Sequence, residues 1–376
     1  MNTKDASAPV NAEEPVGPRW VHGKVCADAY EDLLIATALG DSLGLPYENM
    51  GGKRVRRITK GRLRQRFLFG RFGVISDDTE HALITARALL DSAGDENEFE
   101  HQLAKRLKRW LQALPPGVGK ATLMAIMCMW FKAPAKCGRP SAGNGPLMRA
   151  PVIGLFHAGD QDARDRFIKV STRMTHSDPR ALFMASAVAD IVAASNKKPQ
   201  TWPEMSKIFR ECAERHATEA DVNHTKELMR LLEVLDDSHA KVASIFFAMA
   251  NIDCGNGIDG YVYRSALGAA YIASHTPSVH DAIHNAIQQG GDTDSTAAIT
   301  AALSVSGGAP FMRGLIDHLR DWPVSKTYLE DHAKALGLRE KCEIPEPAYA
   351  PQLIRNLGVV LLDMGHIMRR FLPPYA

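Results

Sequence analysis

The chain has 376 residues, 45% of them hydrophobic and 23% charged, with 45 Lys and Arg set against 43 Asp and Glu. That composition excludes a disordered, collagenous or coiled-coil molecule, and the length allows either one compact unit or two to three domains around a large core. A net charge of +2 provides no basic field for nucleic acid, and the longest apolar stretch, Ala121–Phe131, is well short of the ~20 residues that span a bilayer.

Residues 1–24 hold Pro9, Pro15 and Pro18 among small polar residues, so they are expected to lack a core of their own. They read either as a frayed terminus or as an arm that docks on a partner, with Trp20 as its anchor. The opening residues contain no apolar run of the secretory kind. The six cysteines, at 26, 128, 137, 212, 254 and 342, form no CxxC pair. They fit a reducing cytoplasm better than a disulfide framework or a zinc site.

From about residue 25 to 340, apolar side chains recur at three- and four-residue spacing and strand alternation is scarce. Helices are predicted over Tyr30–Leu39, Glu80–Leu90, Phe99–Leu114, Ala181–Ala194, His224–Leu235, Tyr263–Ala273 and Val279–Gln289, giving one large all-α domain. No fixed repeat suggests a solenoid. Residues 53–71 carry nine Lys or Arg (Lys53, Arg54, Arg56, Arg57, Lys60, Arg62, Arg64, Arg66, Arg71) and no acid. This block reads as a solvated loop or as a local anion site. Beyond residue 341 an amphipathic helix is predicted over Gln352–Phe371, with Leu353, Leu357, Val360, Leu361 and Met364 packed on the domain.

The chemistry concentrates in two acidic clusters, each opening a helix. The first is Ser76-Asp77-Asp78-Thr79; the second is Gly290-Gly291-Asp292-Thr293-Asp294-Ser295-Thr296. A helix N-cap needs one side-chain acceptor, yet each cluster stacks two carboxylates and several hydroxyls. Crowded like charges call for a cation, and hard ions such as Mg²⁺ or Mn²⁺ take oxygen-only ligand sets. Three further segments stand out. Gly40-Asp41-Ser42-Leu43-Gly44-Leu45-Pro46-Tyr47-Glu48 is expected to end a helix in a turn and to offer Glu48 as a fifth carboxylate. Gly143-Asn144-Gly145-Pro146-Leu147-Met148-Arg149 could expose backbone N–H groups to a phosphate. Thr175-His176-Ser177-Asp178-Pro179 places a histidine before a helix.

In that order, GDSLGLPYE, SDDT, GNGPLMRAP, THSDPRA and GGDTDSTAA resemble the motifs of the ADP-ribosylglycohydrolase family, over roughly residues 26–310. The resemblance implies a single compact, orthogonal all-α domain with a dinuclear Mg²⁺ or Mn²⁺ centre in a central cleft. It implies that Ser76, Asp77, Asp78 and Asp294 surround one ion. Asp292, Asp294, Ser295 and Glu48 would surround the other, with Asp294 bridging. Asn144, Gly145, Met148 and Arg149 would lie along an ADP-ribose cleft, and His176 would reach its phosphate or ribose. Ser76 and Ser295 stand where many members have Thr, and both keep a hydroxyl oxygen.

The implied reaction removes ADP-ribose from a modified protein side chain, arginine preferred and serine open. Glu48, Asp77 or Asp78 would accept the proton of the attacking water. Some bacterial relatives are immunity proteins that also block an ADP-ribosyltransferase toxin through an N-terminal extension, so a binding role for residues 1–24 stands beside catalysis or in its place. A two-metal phosphohydrolase is the third reading; it leaves the Gly-Asn-Gly and Thr-His segments without work.

Overall fold

The structure is a computed structural model, described here for residues 20–21, 24–59, 72–195, 198–237, 257–341 and 343–371. Among these residues fifteen α-helices follow one another. They begin with α1 (Ala27–Gly44), α2 (Gly52–Thr59), α3 (Asp77–Ser92), α4 (Glu96–Gln112) and α5 (Lys120–Cys128). Next come α6 (Ala150–Phe156), α7 (Gln161–Arg173), α8 (Pro179–Ser195), α9 (Trp202–His216) and α10 (Val222–Asp236). The last are α11 (Val262–Ser274), α12 (Val279–Gln289), α13 (Thr293–Ser306), α14 (Lys326–Leu338) and α15 (Tyr349–Arg369). The all-α reading holds. Each predicted helix falls on an observed one, although α4 stops at Gln112 because Leu114 takes a left-handed backbone with φ 53°. Helix α15 docks through Arg355, Asn356, Val359 and His366, while Leu357, Leu361 and Met364 of the expected packing stripe are exposed.

Small side chains decide how the central pair meets. Helices α1 and α13 bury nearly their whole surface and pack against each other along most of their length. A Cβ at Gly40 would come 2.4 Å from the Ala297 carbonyl oxygen, and one at Gly44 would come 2.4 Å from the Thr293 carbonyl oxygen. These glycines therefore mark close helix approach, which corrects the expected turn: α1 runs through Gly44, and a short 3₁₀ turn, Leu45–Tyr47, follows. The Thr293 hydroxyl seals the contact by donating to the Gly44 carbonyl at 2.8 Å. Around this pair a continuous core includes Tyr30, Trp110, Phe183, Phe209 and Tyr263.

Only two-residue strands occur among the described residues. Trp20–Val21 (β1) pairs with Lys24–Val25 (β2), and Met50–Gly51 (β3) pairs antiparallel with Gly290–Gly291 (β4). The second pairing brings the Glu48 turn beside the second acidic cluster. Part of the basic block is helical rather than looped: on α2, Arg56 donates to the Gln288 carbonyl at 2.8 Å and Arg54 to the Arg370 carbonyl at 2.6 Å. Both carbonyls lie at helix C-termini, the end where a cation is favoured. Lys60, Arg62, Arg64, Arg66 and Arg71 lie outside the described residues, as does most of the expected arm over 1–24.

Candidate metal and ADP-ribose site

The first acidic loop is held from behind by Asp41. Its carboxylate accepts the Ser76 N–H at 2.9 Å, the Thr79 N–H at 3.2 Å and the Thr79 hydroxyl at 2.5 Å. These bonds turn Ile75–Thr79 into the start of α3 with Ser76 as its N-cap. On the next turn, Glu80 accepts the Trp110 indole N–H at 2.6 Å and pairs with Arg355 at 3.0 Å. The sequence reading gave Asp41 no role. Its spacing from Gly40 and Gly44 places it on α1, but only the fold turns it toward α3.

The second loop needs its glycines. Gly290 and Gly291 adopt φ of 76° and 86°, and a Cβ on Gly291 would lie 2.2 Å from the Ile258 carbonyl oxygen. The Asp292 N–H donates to that same carbonyl at 2.7 Å. Asp292 is then fixed by Asn144, whose side-chain amide donates to Oδ2 at 2.7 Å. The two acidic loops are joined by Ser295, whose hydroxyl donates to Asp78 Oδ2 at 3.0 Å.

Glu48, Ser76, Asp77, Asp292, Asp294 and Ser295 line one cavity of about 590 Å³, a volume suited to a small molecule. Burial, and then the charges of Asp41, Glu80 and Asp292, push the Asp77 carboxyl well above its usual range. Burial with Asp41 and Asp77 does the same to Asp78, and burial with Glu48 and Asp292 to Asp294. Glu48 is raised to about 7 by burial and by Asp292 and Asp363, and Asp41 to about 6 by burial.

Like charges this close are stabilised either by protons or by a cation. Asp78 Oδ1 and Asp294 Oδ1 are buried without a hydrogen-bond partner, and the surrounding donors are all carboxylate or hydroxyl oxygens. That donor set fits Mg²⁺ or Mn²⁺. Among the described residues no three His, Cys, Asp or Glu side chains are drawn together at ligating spacing.

Of the other expected site residues, Asn144, Gly145, Met148 and His176 line the cavity. His176 is raised on its turn by a contact of 2.9 Å between Nδ1 and the Thr175 hydroxyl. Burial, followed by the nearby Arg149 charge, lowers its pKa to about 3, so the ring is neutral. Arg149 and Asp78 stand one layer back, outside the residues that line the cavity. Arg149 is fully buried, donating to the Ser171 hydroxyl and carbonyl at 2.9 Å and to the Thr175 hydroxyl at 2.8 Å. It supports the His176 turn rather than reaching the expected cleft position. Asp78 is 1% exposed and couples the two loops. Among the lining residues that the sequence reading missed are Gly119, Lys120, Asp259, Gly260, Val359 and Asp363. The PPGVGK run ahead of α5 was a visible loop signal, whereas nothing local to Val359 or Asp363 indicates a site.

The architecture is an all-α fold whose helices surround a polar cleft floored by two acidic loops. The ADP-ribosylglycohydrolase family model matches residues 24–335, and the chain belongs to that family. An uncharacterized protein of Archaeoglobus fulgidus is 25% identical over 320 residues, covering 82% of this chain and 96% of its own. A solved structure described as an ADP-ribosylglycohydrolase-related protein complex shares the fold. It has a TM-score of 0.56 and 21% identity, over 83% of this chain and 98% of the other. Membership carries the general activity, hydrolytic release of ADP-ribose from ADP-ribosylated substrates. No helix among the described residues is long and apolar enough to cross a membrane.

Proposed function

We propose that the chain removes ADP-ribose from modified arginine side chains, using two divalent cations held between the acidic loops. The observation that supports this reading is the convergence of Glu48, Asp77, Asp292 and Asp294 on one cavity, with Asp78 tied behind them through the Ser295 hydroxyl. Glu48, Ser76, Asp77, Asp292, Asp294 and Ser295, which line the cavity, would supply the oxygen ligands for Mg²⁺ or Mn²⁺, with Asp78 held behind them by Ser295. Bound there, the ions would orient ribose hydroxyls and acidify a water.

The remaining work falls to the chain itself. Of the three candidate bases, Asp78 is walled off from the cavity, while Glu48 and Asp77 line it. Glu48 and Asp77 are therefore the two carboxylates placed to accept a proton from a water in the cleft. Cleavage of an N-glycosidic bond builds positive charge on the ribose carbon, and an acidic wall stabilises that charge. Gly119 caps α5 without a side-chain bond, leaving backbone N–H groups that, with Lys120, suit the diphosphate. Neutral His176 is free to hydrogen-bond a hydroxyl or phosphate oxygen.

The test is release of ADP-ribose from an ADP-ribosylarginine peptide with Mg²⁺ or Mn²⁺. Wild type is expected to turn it over. EDTA and Asp294→Ala are each expected to cut the rate about a hundredfold or more. Silence of the wild-type protein with both metals would overturn the reading.

A further inference from the structure

Helix α15 begins at Tyr349, beyond the family-matched residues 24–335, yet it forms part of the cleft. One stripe of it, Arg355, Val359, Asp363, His366 and Arg370, recurs at helical spacing. Arg355 pairs with Asp321 at 2.6 Å and Glu80 at 3.0 Å, and donates to the Ile75 carbonyl at 2.7 Å. At the other end, the His366 ring lies 2.9 Å from the Pro46 carbonyl oxygen, and Arg370 donates to the Pro46 and Glu48 carbonyls, each at 2.9 Å. The helix is thus fastened to the first acidic loop and to the Glu48 turn.

Between these anchors, Val359 and Asp363 line the cavity. Asp363 has neither a hydrogen bond nor an ion pair among the described residues. It faces the Glu48 side of the cleft, where its charge acts on that carboxylate. An acid set on a fixed helix, beside a like charge and with His366 as the basic group its charge acts on, has no ion pair among the described residues and is suited to receive a cation from the ligand.

We propose that Asp363 is a specificity-determining residue that receives the cationic guanidinium of the side chain from which ADP-ribose is removed. The proposal rests on the hydrolase reading above. A guanidinium presents paired N–H donors to a carboxylate, and a neutral acceptor such as a serine hydroxyl gains nothing comparable. The anchors at Arg355 and Arg370 hold the carboxylate in place before the ligand arrives, so little ordering is needed on binding.

The experiment compares wild type, Asp363→Asn and Asp363→Glu on an ADP-ribosylarginine peptide, with free ADP-ribose as competitive inhibitor and Mn²⁺ uptake followed by calorimetry. Asp363→Asn is expected to raise KM about tenfold with little change in kcat. Asp363→Glu should restore most of the affinity. The inhibition constant of ADP-ribose, which carries no guanidinium, and Mn²⁺ affinity should stay within about twofold of wild type. An unchanged KM in Asp363→Asn would overturn the proposal. So would a parallel rise in the ADP-ribose constant, which would place Asp363 against ADP-ribose itself, or weakened Mn²⁺ uptake, which would make it a metal ligand. A wild-type enzyme active on a serine-linked peptide alone would sink this proposal and leave the hydrolase; a wild type active on neither would sink both.

Discussion

Asp41 is fully buried, and its two carboxylate oxygens receive the backbone of Ser76 and both the backbone and hydroxyl of Thr79. It is therefore an outer-layer support for the loop bearing Asp77 and Asp78. Asparagine there would keep the volume, lose one acceptor and aim an N–H₂ group at these donors. Asp41→Asn is expected to lower Mn²⁺ affinity about 10- to 100-fold, with helical content retained; calorimetry and circular dichroism together check this. Undiminished affinity would restrict Asp41 to a purely structural role. Arg149 acts in the same indirect manner on the other side of the cleft. Its guanidinium fixes Thr175, and Thr175 fixes the ring of His176.

At the level of the element, two glycines on helices have opposite uses. On α1, Gly40 lets α13 come close enough that a methyl group would sit on the Ala297 carbonyl. Gly40→Ala is expected to force the helices apart and cost about 1–3 kcal/mol or more, read as a lowered denaturant midpoint. On α15, Gly358 has nothing within 4 Å of where a Cβ would stand. There, Gly358→Ala is expected to stabilise by up to about 1 kcal/mol through helix propensity. If both substitutions move the midpoint in the same direction, packing is not what distinguishes them.

The whole molecule carries its site chemistry into its pH dependence. Glu48 has a folded pKa of about 7, and Asp77, Asp78 and Asp294 are held well above the usual carboxylate range. Unfolded, these groups are already ionised at neutral pH. The metal-free folded protein therefore binds more protons than the unfolded chain, and its stability falls as pH rises from 7 to 8 by up to about 1.4 kcal/mol per pH unit for each proton released. Buried histidines act the other way at lower pH. His157 and His332 are lowered to about 4 and His176 to about 3, chiefly by burial. Below about pH 6.5 the unfolded chain takes up protons that these rings refuse, so acid destabilises. Above pH 7 the histidines are neutral in both states and only the carboxylate effect remains. Melting temperatures in EDTA should drop between pH 7 and 8, and saturating Mg²⁺ should flatten that drop by taking the place of the protons. A level profile in EDTA would contradict the charge crowding.

The order of acidic and glycine-containing motifs was enough to read the helical class, the family resemblance and part of the cavity wall. Periodicity fixes helices locally, and a cluster such as Asp292-Thr293-Asp294-Ser295 states its ligand chemistry within a few residues. Tertiary structure alone decided that Gly40 belongs to a helix contact, that Arg149 and Asp78 stand behind the cavity, that Asp41 holds the first acidic loop and that Asp363 lines the cavity. Each of these depends on which distant backbone a side chain meets: Asp41 meets Ser76, Arg149 meets Thr175, and Asp363 comes beside Glu48. A local pattern specifies an element and its polar face, whereas the partner across the cleft is set by how the helices pack.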